Sequence, residues 1–260
     1  MARLNRTEGH PRTGQTGPAA LSMNAVVPGY AEGRRVQKPL TPPIDARWTG
    51  AGLHAIIGRN GQGKSTLIRI AAGLQAPLSG EVLLGEKPLR KLSASVRAEQ
   101  VAFVDSTPPR GSGLTVGEAL LLARPHRNEG AAREWLARLG AEDWWGARLA
   151  ELSDGQAQRV MVVRAALQGT PWLVLDEPTA FLDIPAREAL LRLLGEMADL
   201  GLALLLATHD IHLLAESPQL QSLHLMTPAG LHALNCRASV KDWEKSLREA
   251  PLPQNNLPAR

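Results

Sequence analysis

Hydrophobic and polar positions alternate along this chain in a pattern that predicts buried strands separated by helices. Short apolar runs bounded by turn residues are typical of buried strands, and they lie at residues 54–58, 80–85, 101–104, 172–175 and 202–207. A glycine-rich turn and a helical pattern over residues 65–74 follow the first run. Because strands that alternate with helices pair in parallel, the sequence predicts an α/β protein with a predominantly parallel sheet.

Between the predicted strands at residues 101–104 and 172–175, the sequence has a helical pattern instead. Val116, Leu120 and Ala123 fall on one helical face, and a second apolar stripe begins at Trp135. Tryptophans in such stripes are interpreted as packing residues between helices. The pattern therefore predicts a helical subdomain inserted at about residues 107–168.

The two ends of the chain differ from the middle. Residues 1–22 are polar and contain few apolar side chains, which predicts a flexible tail. Residues 24–50 contain several prolines and are expected to form edge strands. The folded domain is predicted to span residues 23–236, and residues 237–260 are predicted to form a last helix and a tail.

Charge and cysteine content exclude several classes of function. The net charge of +4 comes from residues 1–50, which hold seven Lys/Arg against three Asp/Glu, since the rest of the chain holds 22 of each. A neutral body argues against a long phosphate-neutralising face, so no nucleic acid partner is expected. The single cysteine, Cys236, excludes an intrachain disulfide and suits a reducing compartment. No apolar run approaches the roughly 18 residues of a membrane span.

A phosphate-binding loop is predicted between the strand at residues 54–58 and the helix that follows. The sequence Gly58-Arg-Asn-Gly-Gln-Gly-Lys-Ser-Thr66 matches the spacing G-x4-G-K-[ST]. Glycines let the main-chain N–H groups turn toward phosphate oxygens, and the lysine ammonium reaches the β and γ phosphates. The residues predicted to bind ATP in this segment are Gly58, Asn60, Gly61, Gly63, Lys64, Ser65 and Thr66.

Two acidic residues end the apolar strand at residues 172–175. Parallel strands present ligands with the side chains at their carboxyl ends, so Asp176 and Glu177 are predicted to face the phosphate-binding loop. Asp176 and the Ser65 hydroxyl are the candidate Mg²⁺ ligands. Glu177 is the candidate that polarises the attacking water.

A further motif, Leu152-Ser-Asp-Gly-Gln156, precedes a helical pattern. Alone it would be interpreted as a helix N-cap and turn. Together with the two motifs above, however, it resembles the Leu-Ser-Gly-Gly-Gln signature of the nucleotide-binding subunits of ATP-binding cassette (ABC) transporters. The resemblance covers roughly residues 24–235, and it implies the ABC ATPase fold, with an antiparallel β part before the parallel core.

The resemblance also assigns roles to residues that carry no clear signal alone. It places Tyr30 against the adenine, Asp183 in the D-loop, and His209 at the catalytic switch. Without the resemblance, Tyr30 would be an ordinary edge-strand aromatic and His209 a histidine at the edge of the core. The resemblance further implies a head-to-tail dimer in which Ser153, Gly155 and Gln156 contact the ATP held by the opposite subunit.

One position departs from the family pattern. The resemblance places a glutamine at Ser106, whose side chain is too short to span from the sheet to Mg²⁺ and the water. Either Asp105 or a water is expected to substitute for it.

The predicted function is ATP hydrolysis that powers a membrane transporter. The resemblance is greatest to importers of iron-siderophores, haem or cobalamin. It implies a second ATPase subunit, transmembrane permease subunits, a substrate-binding protein, and a peripheral position on the cytoplasmic face of the membrane. Two alternatives remain open at this point, namely a soluble ABC ATPase acting on nucleic acid or ribosomes, and a P-loop kinase or GTPase. The second would lack the signature and the switch histidine.

Overall fold

The computed structural model describes residues 17–32, 35–36, 39–109, 113–123 and 129–251. The strands in the described residues are β1 (Leu21–Val27), β2 (Ala31–Glu32), β3 (Arg35–Val36), β4 (Ile44–Trp48), β5 (Gly52–Ile57), β6 (Ser79–Leu84), β7 (Lys87–Pro88), β8 (Val101–Val104), β9 (Trp172–Asp176), β10 (Ala203–Thr208), β11 (Leu220–Thr227) and β12 (Gly230–Leu234). The helices are α1 (Lys64–Ala71), α2 (Ala94–Ala98), α3 (Val116–Leu121), α4 (Glu129–Arg138), α5 (Asp154–Gln168), α6 (Ile184–Asp199), α7 (Ile211–Ala215) and α8 (Val240–Glu249).

A six-stranded sheet in the order β12-β11-β5-β10-β9-β8 forms the centre of the molecule. The strands from β11 to β8 pair in parallel, and β12 joins β11 antiparallel. Every residue of β5, β9 and β10 is buried, because helices or a second sheet cover both faces. The predicted α/β fold with a predominantly parallel core is confirmed.

A second, antiparallel sheet in the order β4-β1-β6-β7 packs beside the central one. The side chains of β5 alternate between two cores, with Leu53, Ala55 and Ile57 on one face and Ile56 on the other. Helix α1 is buried with Ile56 between the two sheets. The run predicted at residues 80–85 therefore forms β6 of the antiparallel sheet.

Helices α3, α4 and α5 lie between β8 and β9, within the span expected for the inserted helical subdomain. Helix α5 packs against β8 and against both other helices, so it joins the insert to the central sheet. Arginine side chains stack on the tryptophan rings here: Arg133 lies 4.1 Å from the centroid of Trp145, and Arg159 lies 4.6 Å from that of Trp144. These tryptophans are packing residues, as expected from their pattern.

The predicted boundaries are wrong at both ends of the domain. Leu21 and Ser22 are buried in β1, and the Trp172 indole donates a hydrogen bond to the Ala19 carbonyl. The structured chain thus begins before residue 23. At the other end, Trp243 of α8 is 2% exposed and belongs to the main core, so α8 is part of the domain. Residues 1–16 and 252–260 lie outside the described residues.

Candidate nucleotide-binding site

The loop between β5 and α1 has the backbone shape of a phosphate cradle. Gly63 precedes the first residue of α1 with φ 91°, a left-handed conformation that favours glycine. The N–H groups of the first turn of a helix have no intrahelical partners, so they are free to donate to an anion. The Lys64 ammonium is folded back over this loop and donates to the Gly58 carbonyl at 2.9 Å. The Lys64 side chain therefore lies across the predicted phosphate-binding loop, from the start of α1 to the end of β5.

Asp176 lies at the carboxyl end of β9, directly beside the start of α1. Its Oδ1 accepts a 2.9 Å hydrogen bond from the Ser65 hydroxyl, and its Oδ2 is buried without a hydrogen-bond partner among the described residues. Burial raises the pKa of the Asp176 carboxyl, partly offset by the Ser65 hydrogen bond and the charge of Arg69. A buried carboxylate oxygen without a partner, next to a hydroxyl, is a donor set that fits a hard divalent cation.

Glu177 joins the phosphate-binding loop to the end of β10. Its Oε1 lies 3.2 Å from the Lys64 ammonium, and its Oε2 lies 2.8 Å from Nδ1 of His209. The His209 main-chain N–H donates to the same Oε2 at 3.3 Å. Glu177 has φ 44°, which is uncommon for a residue with a side chain and turns the carboxylate toward both partners. One carboxylate thus lies between a cation and an imidazole at the mouth of the loop.

Tyr30 follows β1 and lies beside α1. Its hydroxyl is 2.7 Å from the hydroxyl of Thr66, which is buried. The tyrosine side chain is half exposed, so its ring is accessible next to the phosphate-binding loop. The structure brings Tyr30 to the site on a connecting segment, where an edge strand was expected.

The signature and D-loop residues lie together in this chain. Ser153 caps α5, accepting a hydrogen bond from the Gln156 N–H, while the Gln156 side chain accepts one from the Ser153 N–H. A Cβ on Gly155 would stand 2.7 Å from the Phe181 carbonyl, so only glycine allows this close approach. Asp183 caps α6 by accepting from the Ala186 N–H. In the described residues, no hydrogen bond connects Ser153 or Gln156 to the phosphate-binding loop of the same chain.

The loop after β8 is bound to helices α1 and α5 through Asp105. Arg69 of α1 donates to both carboxylate oxygens of Asp105 at 3.0 Å, and Ser106 donates to Oδ1 of Asp105 at 3.2 Å. The buried Gln158 of α5 donates to the Asp105 carbonyl at 2.8 Å. Arg69 and Gln158 were not predicted from the sequence, because neither belongs to a motif with a recognised spacing. Since the Asp105 carboxylate is paired with Arg69, its expected substitution for a metal-reaching glutamine gains no support from these contacts.

Comparison with known proteins decides the family. The sequence profile described as ABC transporter matches residues 48–180, just over half of the chain. The chain belongs to the ABC transporter family. Its domain is an ATP-binding ABC ATPase, with the motifs in the order that the resemblance implied. A second profile, described as an AAA domain and AbiEii toxin of a type IV toxin–antitoxin system, matches residues 146–215.

Solved structures share the fold of this ABC ATPase. An ATP-binding subunit of an ABC transporter is 25% identical, with a TM-score of 0.74 over 88% of this chain and 99% of that chain. A dimeric bacterial ABC transporter cassette is 22% identical, with a TM-score of 0.72 over 84% of this chain and 100% of that chain. An inward-facing structure, described as an ABC transporter of the metal-chelate type, is 20% identical, with a TM-score of 0.70 over 90% of each chain.

Neither a membrane-spanning helix nor a multi-residue metal site is found in the described part of the ABC ATPase. None of its helices there is both long and apolar enough to cross a bilayer. No group of three or more His, Cys, Asp or Glu residues is arranged there to hold a metal ion. A Mg²⁺ bound with ATP needs only one or two protein ligands, because phosphates and waters supply the others, so the pair Ser65 and Asp176 is sufficient.

Proposed function

We propose that this ABC ATPase hydrolyses ATP in a paired assembly and thereby powers a membrane transporter. The observation that carries the proposal is the position of Glu177, held between Lys64 at 3.2 Å and His209 at 2.8 Å. A carboxylate beside the phosphate-binding lysine is placed to polarise a water for attack on the γ-phosphate. His209 orients this carboxylate through both its ring and its main-chain N–H.

ATP is bound by the loop between β5 and α1 in this proposal. The main-chain N–H groups of Gly61, Gly63 and the first turn of α1 surround the phosphates, and Lys64 leaves the Gly58 carbonyl to contact them. The exposed ring of Tyr30 stacks on the adenine. Its hydroxyl, fixed on Thr66, sets the distance between the ring and the phosphate site.

Ser65 and Asp176 would hold Mg²⁺. The support is the unpartnered Oδ2 of Asp176 next to the Ser65 hydroxyl. A Mg²⁺ held there would neutralise phosphate charge. The Ser65 hydroxyl would keep an oxygen lone pair for the metal while it donates its hydrogen to Asp176.

The second subunit completes each site in this proposal. Ser153, Gly155 and Gln156 have no hydrogen bond to the phosphate-binding loop of their own chain in the described residues, which is the arrangement expected if they serve the ATP of a partner. Phe181 and Ile184 flank Asp183 and are 48% and 69% exposed. Large apolar side chains exposed beside the D-loop fit a buried position in a dimer. The similar dimeric cassette supports the same assembly.

The transporter is proposed to import a metal chelate such as an iron-siderophore, with permease subunits and a substrate-binding protein. The fold shared with a metal-chelate type transporter supports this class, as does the Asp154 variant of the signature. The ABC ATPase would then lie on the cytoplasmic face of the membrane, attached to the permease.

Replacement of Lys64 tests the ATPase proposal. Lys64→Ala removes the ammonium that neutralises phosphate charge, so ATP affinity measured by calorimetry should fall at least tenfold and turnover should be lost. Lys91→Ala, which removes an exposed lysine far from the loop in sequence, is the matched control and should behave as wild type. Equal ATP affinity in Lys64→Ala and wild type would refute the proposal.

A further inference from the structure

Gln62 is a buried amide inside the phosphate-binding loop. Its side chain is 4% exposed and lies on the side of the loop that faces the protein. Its Oε1 accepts a 2.7 Å hydrogen bond from the Arg59 N–H, and its Nε2 donates to the Pro251 carbonyl at 3.2 Å. Both ends of the amide are therefore used, one within the loop and one outside it.

The glutamine fills the inner side of the loop. A Cβ on Gly58 would stand 2.9 Å from Oε1 of Gln62 and 2.8 Å from the Met226 carbonyl. The backbone at Gly58 is therefore too closely packed to accept a side chain, and Gln62 is one of the groups packed against it. The loop therefore keeps its shape through the bonds of this amide as well as through its glycines.

Pro251 is brought to the loop by helix α8. Trp243 anchors that helix in the core and donates its indole N–H to the Asn235 carbonyl at 3.0 Å. Ala250, the last residue before Pro251, is also buried. The Pro251 carbonyl is thus held by a packed helix.

Helix α8 also contacts the other side of the nucleotide site. It packs against α7, which begins two residues after His209. Glu244 of α8 lies 3.5 Å from the His212 ring of α7. One helix therefore touches the segment after the switch histidine and, through Pro251 and Gln62, the phosphate-binding loop.

We propose that Gln62 is a positioning residue for ATP, which ties the phosphate-binding loop to helix α8 through the Pro251 carbonyl. It does not contact the nucleotide but fixes the loop in the shape that receives the phosphates. This inference rests on the proposed function, because it assumes that ATP is bound by this loop. It assigns to α8 a role in nucleotide affinity that no motif indicates.

Two substitutions separate the two hydrogen bonds. Gln62→Met has a similar length but neither donor nor acceptor, so it leaves the Arg59 N–H and the Pro251 carbonyl unpaired. Gln62→Glu keeps an acceptor for Arg59 but places a second oxygen against the Pro251 carbonyl. We expect both variants to raise the Kd and KM for ATP about tenfold. We expect kcat at saturating ATP to stay within about twofold of wild type.

The split between KM and kcat distinguishes positioning from general damage. A fall in kcat together with KM, or an unchanged KM in Gln62→Met, would overturn the proposal. A Gln62→Glu variant with wild-type KM would overturn the link to α8, because only the bond within the loop would then matter. Gln219→Met is the matched control. Gln219 lies just before β11 and donates to the Asp199 carboxylate, so its replacement also removes a bonded amide, and the KM of this variant should be that of wild type.

A double mutant tests whether Pro251 is the partner. Pro251→Gly loosens the segment that holds the carbonyl, so it should raise KM by itself but add little in the Gln62→Met background. Full additivity of the two effects would refute the coupling. Lys64→Ala, measured in the same assay, distinguishes failure of the proposed function from failure of the positioning role. If Lys64→Ala keeps wild-type ATP affinity, the proposed function fails. If Lys64→Ala loses affinity while the Gln62 variants keep that of wild type, the positioning role alone fails.

Discussion

The ion pair between Lys64 and Glu177 leads to a prediction about nucleotide affinity. In the structure the ammonium contacts Glu177 at 3.2 Å, and the two side chains are 6% and 14% exposed. ATP or ADP must draw Lys64 away from this carboxylate to contact the phosphates. Replacing Glu177 with glutamine removes the competing charge, so Glu177→Gln should bind nucleotide more tightly than wild type while hydrolysing ATP at least 10²-fold more slowly.

The expected gain in affinity follows from the geometry. At 3.2 Å and an effective dielectric constant of about 20, the attraction between the two charges is about 5 kcal/mol. Most of this is offset because both groups lose water in the pair, and a hydrogen bond between charged groups typically retains about 1.5–3 kcal/mol. Lys64 keeps its bond to the Gly58 carbonyl in the variant. Taking the lower figure, nucleotide should bind about tenfold more tightly.

ADP is the right ligand for this measurement, because it has no γ-phosphate to hydrolyse. We also expect that ADP does not hold two subunits together in a closed dimer, so the titration reports binding alone. Titration of a fluorescent ADP analogue into wild type and Glu177→Gln gives the two Kd values directly. Glu188→Gln, which removes an exposed carboxylate of α6, is the control and should leave Kd unchanged. An ADP affinity in Glu177→Gln equal to or weaker than that of wild type would show that the ion pair does not compete with nucleotide.

Three further predictions concern stability, assembly and the loop after β8. Burial lowers the pKa of His224 to about 4, and the nearby His54 adds to this. The folded state thus binds fewer protons than the unfolded state below pH 6.5, and the free energy of unfolding should fall by about 2 kcal/mol between pH 7.5 and 5. Urea titrations should show a smaller fall for His224→Gln. Because Glu177→Gln should hydrolyse ATP slowly, we expect it to accumulate as a dimer with ATP in size-exclusion chromatography. Adding Ile184→Asp should abolish that dimer and leave the monomer folded; a persisting dimer would place the interface elsewhere. Ser106→Ala should change turnover less than twofold, and a 10²-fold loss would give Ser106 a catalytic role.

The sequence was sufficient to predict the strands β5, β8, β9 and β10 of the central sheet and the residues that meet at its carboxyl edge. The spacing of Gly58, Gly63 and Lys64 predicts a phosphate-binding loop, because few backbones other than a strand–turn–helix accommodate it. Asp176 and Glu177 end an apolar strand, and parallel strands end at one edge. These side chains were therefore expected to meet, and the structure places Ser65, Asp176, Glu177 and Lys64 within hydrogen-bonding distance of one another in pairs.

Other features depend on contacts that no local pattern reveals. Strands β11 and β12 were not predicted, since β11 includes the polar residues Gln221, Ser222 and His224 among its apolar ones. The start of the domain was misplaced because the strand partners of Leu21, Trp48 and Leu84, lie far from it in the sequence. Gln62 occupies a position of the loop motif at which any residue is allowed. Its hydrogen bond to Pro251, 189 residues later, therefore could not be predicted from the motif.

The loop after β8, where the sequence departs from the family pattern at Ser106, is bound to two helices of the candidate site. Its Asp105 is bound by Arg69 of α1 through the side chain and by Gln158 of α5 through the main chain. Helix α1 begins at the phosphate-binding loop, and α5 begins at the signature. The loop is therefore attached to both helices that start at motifs proposed to contact nucleotide. These hydrogen bonds join α1 and α5 through Asp105, and neither of them involves the side chain of Ser106.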